Sequence, residues 1–273
     1  MSYPWSAWAV TLGWSAIAVA VVLIATFVAA KIVHRHNVID VAWGLLFGAI
    51  GVVSFVTSTG DGDALRRWLL LVLPLLWGLR LALHIGRRSV GKGEDPRYEQ
   101  LLGKARGNRD LYALRMVYLL QGLLALLIAT PITIGANEPA AVGPVAWIGV
   151  VVWAVGLFFE AVGDAQMDRW RRDPAHKGNV IDVGLWRYTR HPNYFGDACV
   201  WWGIFLVAAD GWPGVFTVFA PIVMTYLLTK GSGARILEKH MSQRSGWDEY
   251  AARTSGFFPL PPKKPDRAPG THA

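Results

Sequence analysis

The sequence lacks the features by which soluble nucleotide-binding enzymes are usually recognised. It contains a single cysteine, Cys199, so an intrachain disulfide is excluded. Charged residues make up only 17% of the 273 residues, whereas apolar residues make up 53%. No G-x-G-x-x-G sequence follows a strand-like run, and no P-loop sequence occurs. What the chain has in abundance is long apolar runs.

The apolar residues cluster in seven runs, each close to the roughly 20 residues that a helix needs to cross a bilayer. The predicted spans are residues 8–30, 38–56, 68–84, 114–134, 145–162, 194–209 and 212–228. The first run is too long for a signal-peptide core and has no basic region before it, so we predict a true span. Residues 1–259 are predicted to form a single membrane domain, and the proline-rich residues 260–273 a disordered cytoplasmic tail.

Lysine and arginine residues are concentrated in alternate connections between the predicted spans. Residues 31–37 contain two of them, 87–110 seven, 164–191 six and 230–273 eight, whereas 135–144 contains none. By the positive-inside rule, this asymmetry predicts an amino terminus outside and a carboxyl terminus in the cytoplasm. Because the basic residues follow the membrane topology, we expect no binding of nucleic acid.

The most polar stretch beside an apolar run is residues 184–197, GLWRYTRHPNYFGD. Polar groups where a helix enters lipid are costly, and they usually mark a functional site. Pro192 suits the first position of a helix, because its missing N–H would have no partner there. The free N–H groups and the positive dipole end of that helix would face Arg190 and His191. This arrangement predicts a site for an anionic cofactor.

Several ionisable residues lie within the second and third predicted spans. Asp40 opens the second span, the third contains Arg80 and His84, and Arg87 and Arg88 follow just beyond it near the same helical face. Charges within a membrane segment indicate function, because isolation in lipid is costly. Simpler interpretations stay open: Asp40 could cap its helix or pair with Arg80. Arg87 and Arg88 could be ordinary cytoplasmic anchors.

Glu160 and Asp164 lie four residues apart at the end of the fifth predicted span. Two carboxylates on one helical face repel each other unless a cation or a donor lies between them, so we predict a ligand or an arginine partner there. Arginines and a helix N-terminus suit phosphates, and acids with asparagine suit ribose hydroxyls and a carboxamide. We therefore predict a dinucleotide site without a Rossmann fold. No metal site is predicted, because the imidazoles of His34 and His36 are poorly spaced for one helical face.

The motifs resemble those of the steroid 5-alpha-reductase superfamily. The stretch at 184–197 is similar to the signature that precedes the penultimate span of that family. Its carboxyl-terminal signature is similar to LEKH at 237–240, EY at 249–250 and FFP at 257–259. The uncharacterised bacterial branch is similar at DVAWG (40–44), WGLRL (77–81) and EDPRY (94–98). The resemblance covers the chain from about Val38 to Pro259.

The resemblance implies an all-α integral membrane protein, a seven-helix bundle that encloses an NADPH pocket open to the cytoplasm. It also implies reduction of an activated carbon–carbon double bond in a lipid-like substrate: a sterol, an acyl chain or a prenyl lipid. Carried over by position, the cofactor contacts are Asp164, Arg190, Asn193, Tyr194, Asp197 (a glutamate in the family), His240 and Tyr250, with Arg87 or Arg88 at the phosphates. The polar stretch and the acid pair add Arg187, His191 and Glu160 as cofactor-binding candidates.

The chain departs from the family where steroid reductases hold the substrate carbonyl. Those enzymes use a Gln-Glu pair on the second span and a tyrosine on the third. Here the pair is absent, and Ile85 follows His84 where a tyrosine is expected, which argues against a 3-ketosteroid substrate. The catalytic candidates are Asp40, Arg80 and His84, any of which could donate to the oxygen that gains charge after hydride transfer.

Two other functions stay open at this point. Isoprenylcysteine carboxyl methyltransferases and phospholipid methyltransferases have a similar arginine–histidine–proline element and bind S-adenosylmethionine there. A non-enzymatic lipid-binding membrane protein could also retain the fold. The six basic residues of 164–191 favour the reductase, since S-adenosylmethionine has no diphosphate to neutralise. The expected location is a bacterial inner membrane, and no obligate protein partner is evident.

Overall fold

The computed structural model describes residues 2–231 and 233–263, and every regular element within these ranges is helical. No strand occurs in them, although isolated backbone bridges join Asn179 to Ser245 and Thr189 to Ser255. The helices are α1 Trp5–Val33, α2 Val38–Thr57, α3 Ala64–Ser89, α4 Pro96–Leu102, α5 Arg109–Ile128, α6 Thr130–Ala136, α7 Pro144–Arg172, α8 Pro192–Ala209, α9 Gly214–Thr229, α10 Ala234–Met241 and α11 Trp247–Arg253.

Five of the described helices are long and apolar enough to cross a membrane, namely α1, α2, α3, α5 and α7. They confirm the prediction of an all-helical, multi-pass membrane protein. Helix α8 and the shorter apolar helix α9 occupy the positions of the sixth and seventh predicted spans. The count of seven spans and the pocket open to the cytoplasm stay predictions.

The helix at the fourth predicted span, 114–134, has different bounds from that span. Helix α5 begins at Arg109 and ends at Ile128, and α6 restarts at Thr130. Pro131 accounts for the break, because proline lacks an N–H and its ring clashes with the carbonyl four residues earlier. Helix α7 is longer than the predicted span 145–162 and continues to Arg172.

The chain divides into two compact units, each with its own packing. Unit 1 comprises Met1–Val151 and Trp202–Pro221, and unit 2 comprises Val152–Trp201 and Ile222–Ala273. The single membrane domain over residues 1–259 stays a prediction.

Helices α2 and α3 of unit 1 approach closely because two glycines face each other. A Cβ atom on Gly44 would lie 2.4 Å from the carbonyl oxygen of Gly78, and one on Gly78 would lie 2.2 Å from that of Gly44. Small residues permit such approach between membrane helices. Helix α1 packs against α2 and exposes apolar side chains such as Ile24 and Val28 on its other face, as expected of a helix that contacts lipid.

A fully buried arginine holds one end of unit 1 together. Arg66 donates to the carbonyl oxygen of Val207 over 2.6 Å and to the carboxylate of Asp210 over 3.1 Å. Asp210 also accepts a 2.7 Å hydrogen bond from the backbone N–H of Gly143. Burial raises the pKa of Asp210, but the backbone N–H donors and the Arg66 guanidinium outweigh burial and hold the pKa below its ordinary value.

Helices α7 and α8 also approach closely within unit 2. A Cβ atom on Gly196 would lie 2.5 Å from the carbonyl oxygen of Gly156 and equally close to the backbone nitrogen of Glu160. Neither glycine can therefore be enlarged without separating the helices. This contact brings the start of α8 beside the predicted acid pair on α7.

The carboxyl-terminal helix α11 is joined to the rest of unit 2 through a buried tryptophan. The sequence predicts a short helix at Trp247–Tyr250, and the structure confirms it as Trp247–Arg253. The Tyr250 hydroxyl donates to the carbonyl oxygen of Trp186 over 2.7 Å. The Trp186 indole in turn donates to the carbonyl oxygen of Gly163 on α7 over 3.0 Å.

The first residues of the predicted disordered tail, 260–263, make backbone hydrogen bonds to distant parts of the chain. The backbone N–H of Leu260 donates to the carbonyl oxygen of Tyr188, and that of Lys263 donates to the carbonyl oxygen of Arg253. These bonds order the segment, because they pair its backbone with residues distant in sequence. The rest of the predicted tail, 264–273, lies outside the described residues.

Candidate functional site

The first part of the candidate site lies in unit 2, where α8 meets α7. Helix α8 begins at Pro192, which confirms the predicted start. The side-chain amide of Asn193 donates to a carboxylate oxygen of Asp164 over 3.1 Å. Asp164 and Glu160 are buried, with 7% and 3% of their surfaces exposed. The structure thus places a hydrogen-bond donor at the acid pair, as the repulsion between the two carboxylates requires.

The aromatic and acidic residues of the stretch continue along the first turns of α8. The ring of Tyr194 stacks on that of His191, with centroids 5.4 Å apart and planes within 8° of parallel. Asp197 follows one turn after Asn193 on the same helix. Arg187 is exposed in the segment that leads to α8. The polar stretch therefore has a buried part at the start of α8 and an exposed part in the segment before that helix.

Arg190 and His191 converge on an acid that sequence reasoning did not select. The Nε of Arg190 donates to Oε1 of Glu238 over 2.8 Å, and Nε2 of His191 lies 2.9 Å from the same oxygen. The hydrogen bond with His191 lowers the pKa of Glu238, and Arg190 adds to this effect against the opposing influence of burial. Glu238 lies within the LEKH motif, but nothing in that motif identifies its partners.

Two predicted cofactor contacts are engaged with protein groups. Arg190 also donates to the carbonyl oxygen of Ala251 over 2.9 Å and to that of Thr254 over 3.2 Å. The hydroxyl of Tyr250 donates to the carbonyl oxygen of Trp186, and burial raises the pKa of this phenol above its ordinary value. Both residues fasten the carboxyl-terminal segment to the start of α8. The side chain of His240, a third predicted contact, lies outside the described part of the structure.

An apolar pocket opens beside this network, wholly within unit 2. It contains about 390 Å³ of empty space, including the solvent at its mouth. Its apolar lining includes Met167, Ile181, Trp186, Leu237, Met241 and Trp247. His191 and Tyr250 are the buried polar residues on its wall.

Helix α3 of unit 1 carries four of the predicted residues. Arg80, His84, Arg87 and Arg88 all lie before its end at Ser89, which confirms that they share one continuous helix. Arg80 and His84 are half-buried, whereas Arg87 and Arg88 are exposed. Burial of these side chains therefore decreases along α3 toward its basic last turn.

Asp40 lies in the first turn of α2 and is held by helix α4. The hydroxyl of Tyr98 donates to Oδ1 of Asp40 over 2.6 Å, and Arg97 donates to Oδ2 over 3.2 Å. The suggestion that Asp40 caps its helix is wrong, since Asn37 occupies the N-cap position. The backbone N–H groups of His36 and Asn37 are instead bound by the carboxylate of Glu94.

Tyr98 is a candidate that sequence reasoning missed. It is buried, and its oxygen lies 3.4 Å from the side-chain nitrogen of Gln121 on α5. Burial raises the pKa of Tyr98, and the negative charge of Asp40 raises it further, so the phenol keeps its proton. The EDPRY motif contains Tyr98, but the sequence does not show that it meets the DVAWG motif at Asp40.

The long apolar helices and the buried polar clusters at their ends define a multi-pass helical membrane protein with a built polar site. A family model matches residues 26–254, a range that includes every candidate site residue. The chain belongs to this family, which is described as protein of unknown function DUF1295. No curated protein and no solved structure matches the chain.

Proposed function

We propose that the protein is an NADPH-dependent reductase of an activated carbon–carbon double bond in a lipid-like substrate. The observation that carries the proposal is the hydrogen bond between Asn193 and Asp164 beside the buried Glu160. Two sequence motifs 29 residues apart thereby form one polar cluster at a helix start. Buried acids in a membrane protein usually serve a ligand or a proton path.

The donors and acceptors of this cluster fit the polar edges of a dinucleotide. The carboxylates accept from ribose hydroxyls, and the amide of Asn193 can pair with a carboxamide. The positive dipole end at the start of α8 favours an anionic group such as a diphosphate. We assign direct contact to Glu160, Asp164, Asn193, Tyr194 and Asp197, with Arg187 near the phosphates. Arg190 and Tyr250 support this arrangement through their bonds to protein groups.

When bound, NADPH would supply a hydride to the β-carbon of the alkene. The π electrons of the double bond then move toward the conjugated oxygen, and a proton added at the α-carbon completes the saturated product. The protein must stabilise the negative charge on that oxygen, which is commonly the largest contribution to catalysis of this kind. Arg80 and His84 are the candidate donors for this role.

The contacts of Asp40 favour a positioning role for this residue. Both of its carboxylate oxygens accept hydrogen bonds, one from Tyr98 and one from Arg97. A carboxylate bound in this way orients the phenol and is less suited to donate a proton itself. We therefore propose that Asp40 is held by Tyr98 and Arg97 and is not the proton donor, which leaves Arg80 and His84 for that role. The predicted orientation, with the carboxyl terminus in the cytoplasm of a bacterial inner membrane, would place the cofactor where NADPH is available.

Cofactor binding tests the proposal. NADPH and S-adenosylmethionine are titrated by calorimetry into the full-length protein in detergent. We expect NADPH to bind and Asn193→Ala to weaken it by about tenfold or more, as lost hydrogen bonds to charged groups do. Asn137→Ala is the matched control, because Asn137 is buried in unit 1 and bonds to Thr11 and Thr133. Exclusive binding of S-adenosylmethionine would make the protein a methyltransferase candidate, and binding of neither would favour a lipid-binding protein.

A further inference from the structure

The carboxyl-terminal segment, residues 257–263, exposes large apolar side chains although its backbone is held in place. Phe258 and Leu260 are 65% and 55% exposed. The backbone N–H of Leu260 donates to the carbonyl oxygen of Tyr188 over 3.0 Å, so this part of the segment is fixed on unit 2. Two large apolar side chains are therefore kept at the surface by a bonded backbone.

The backbone of the segment lacks the groups that keep a chain out of lipid. Three of the residues 259–262 are prolines, which have no N–H. The remaining N–H, that of Leu260, is bonded to Tyr188. An N–H group without a partner is costly in hydrocarbon. Residues 259–262 therefore bring no unpaired N–H to a bilayer.

A series of ring contacts connects the segment to the apolar part of α7. Phe158 of α7 is 55% exposed, as expected of a side chain that contacts lipid, and its ring lies 5.8 Å from that of Phe159. The ring of Phe159 lies 5.1 Å from that of Phe195 in the first turn of α8. Phe195 in turn contacts Phe257 and Phe258, with centroids 6.0 and 6.1 Å away. The segment thus lies beside the end of the apolar run of α7, where a membrane helix leaves the hydrocarbon.

The polar residues of this surface suit the headgroup region of a membrane. Tyr188 is 43% exposed, and tyrosine is typical of membrane interfaces. Lys263 is exposed and has no side-chain partner among the described residues, and Lys264 follows it in the sequence. The nearby Arg253 is already paired with Asp182. Lysines beside a membrane surface attract anionic lipids.

We propose that residues 257–263 anchor unit 2 to the bilayer surface and bind anionic lipids there. Phe258 and Leu260 enter the acyl chains beside the end of α7, and Lys263 and Lys264 supply the charge that attracts the lipid phosphates. Apolar side chains next to basic residues are typical of segments that lie at a membrane interface. The proposal does not rest on the proposed reductase activity, because no cofactor residue enters it.

Fluorescence quenching in nanodiscs tests where the segment lies. Bimane is attached to full-length Phe258→Cys and Leu260→Cys proteins, each with Cys199→Ser so that one thiol remains. Lipids brominated on their acyl chains should quench bimane at both positions as strongly as in Phe158→Cys, and aqueous iodide should quench it weakly. Lys177→Cys should show the opposite pattern, because Lys177 is exposed and follows the part of α7 that extends beyond its apolar run.

A second comparison tests the class of lipid. At equal mole fraction in phosphatidylcholine nanodiscs, brominated phosphatidylglycerol should quench bimane at position 258 about twofold more strongly than brominated phosphatidylcholine, because lysines enrich anionic lipids nearby. Lys263→Gln combined with Lys264→Gln should remove this difference, while quenching by brominated phosphatidylcholine persists.

Three results would overturn the proposal. Iodide quenching at positions 258 and 260 that equals that of Lys177→Cys would place the segment in water, free for a soluble protein partner. Protection from both quenchers would show that a second copy of the chain covers the segment. Equal quenching by the two brominated lipids in the protein with both lysines would contradict the binding of anionic lipids.

Discussion

The hydroxyl of Tyr98 donates a 2.6 Å hydrogen bond to the carboxylate of Asp40, a residue 58 positions earlier in the chain. Arg97 binds the other carboxylate oxygen, so the EDPRY and DVAWG motifs meet at one acid. A buried phenol held by a charged acceptor keeps its proton and has a fixed direction. The single O–H of Tyr98 is engaged at Asp40, so Tyr98 serves to hold that carboxylate in one position.

Tyr98→Phe tests this role. We expect the free energy of unfolding to fall by about 1–3 kcal/mol and turnover of the reductase to fall with it, because the carboxylate of Asp40 loses the donor that holds it. Affinity for NADPH should stay unchanged, because the cofactor is assigned to residues of unit 2. Tyr112→Phe serves as the control, since Tyr112 packs against the same core cluster of unit 1. Turnover that survives Tyr98→Phe would remove Tyr98 from the mechanism.

Glu238→Gln changes the pH dependence of stability. The lowered pKa of Glu238 means that the folded state favours its carboxylate. This stabilisation is full above the ordinary pKa of 4.5 and is lost as the pH falls through the lowered value. Thermal unfolding in detergent should therefore show the unaltered protein to be more stable near neutral pH.

The difference in Tm between the unaltered protein and Glu238→Gln should shrink as the pH falls below about 4.5. Asp95 and Asp210 also have lowered pKa values, but they titrate in both proteins and cancel in the comparison. A difference in Tm that is independent of pH would contradict the assigned interaction with His191.

Arg66 and Asp210 form a buried ion pair, so each charge is compensated only while the other is present. Arg66→Leu leaves the carboxylate buried without its charged partner, which should cost about 3–5 kcal/mol. The double variant Arg66→Leu with Asp210→Leu should recover part of this loss, because neither charge is then left alone. Arg67→Leu, at a less buried position, should cost less. Thermal denaturation in detergent distinguishes these four proteins. Equal losses of stability for Arg66→Leu and Arg67→Leu would contradict the importance of the buried ion pair.

Gly196→Ala tests whether the contact between α7 and α8 positions the cofactor residues. The added methyl group would meet the carbonyl oxygen of Gly156 and should cost about 1–3 kcal/mol by overpacking. Because α8 must then shift away from Glu160, we expect NADPH affinity to fall as well. Gly13→Ala is the control, since a Cβ atom there meets nothing within 4 Å. Unchanged binding of NADPH by Gly196→Ala would show that this contact is not needed for the site.

The sequence predicted the elements of the fold better than their ends. Long apolar runs specify spans directly, because the bilayer sets the length of a helix. The end of α5 at Ile128 was missed although Pro131 is visible in the sequence, since the apolar run continues through it. The extension of α7 to Arg172 was missed because a helix can continue beyond the apolar part of a span.

Parts of the candidate site were predictable for a similar reason. The start of α8 at Pro192 follows from local chemistry. The repulsion between two acids on one face indicated a partner for Asp164, but the predicted partner was a ligand or an arginine, whereas the structure shows Asn193. The partners Tyr98 and Glu238 did not follow, because each bonds a residue more than forty positions away. Nothing in a single sequence indicates which distant loops meet.

Transfer of a labelled hydride tests the proposed reductase most directly. The full-length protein is incubated with NADPH that carries deuterium at the transferable position, together with a bacterial lipid extract, and the lipids are examined by mass spectrometry. The proposed reductase should produce a saturated lipid that carries deuterium, and Asn193→Ala should reduce its yield sharply while Asn137→Ala does not. Absence of deuterium from every lipid, with a labelled methyl group transferred from S-adenosylmethionine in a parallel reaction, would contradict the reductase and identify a methyltransferase.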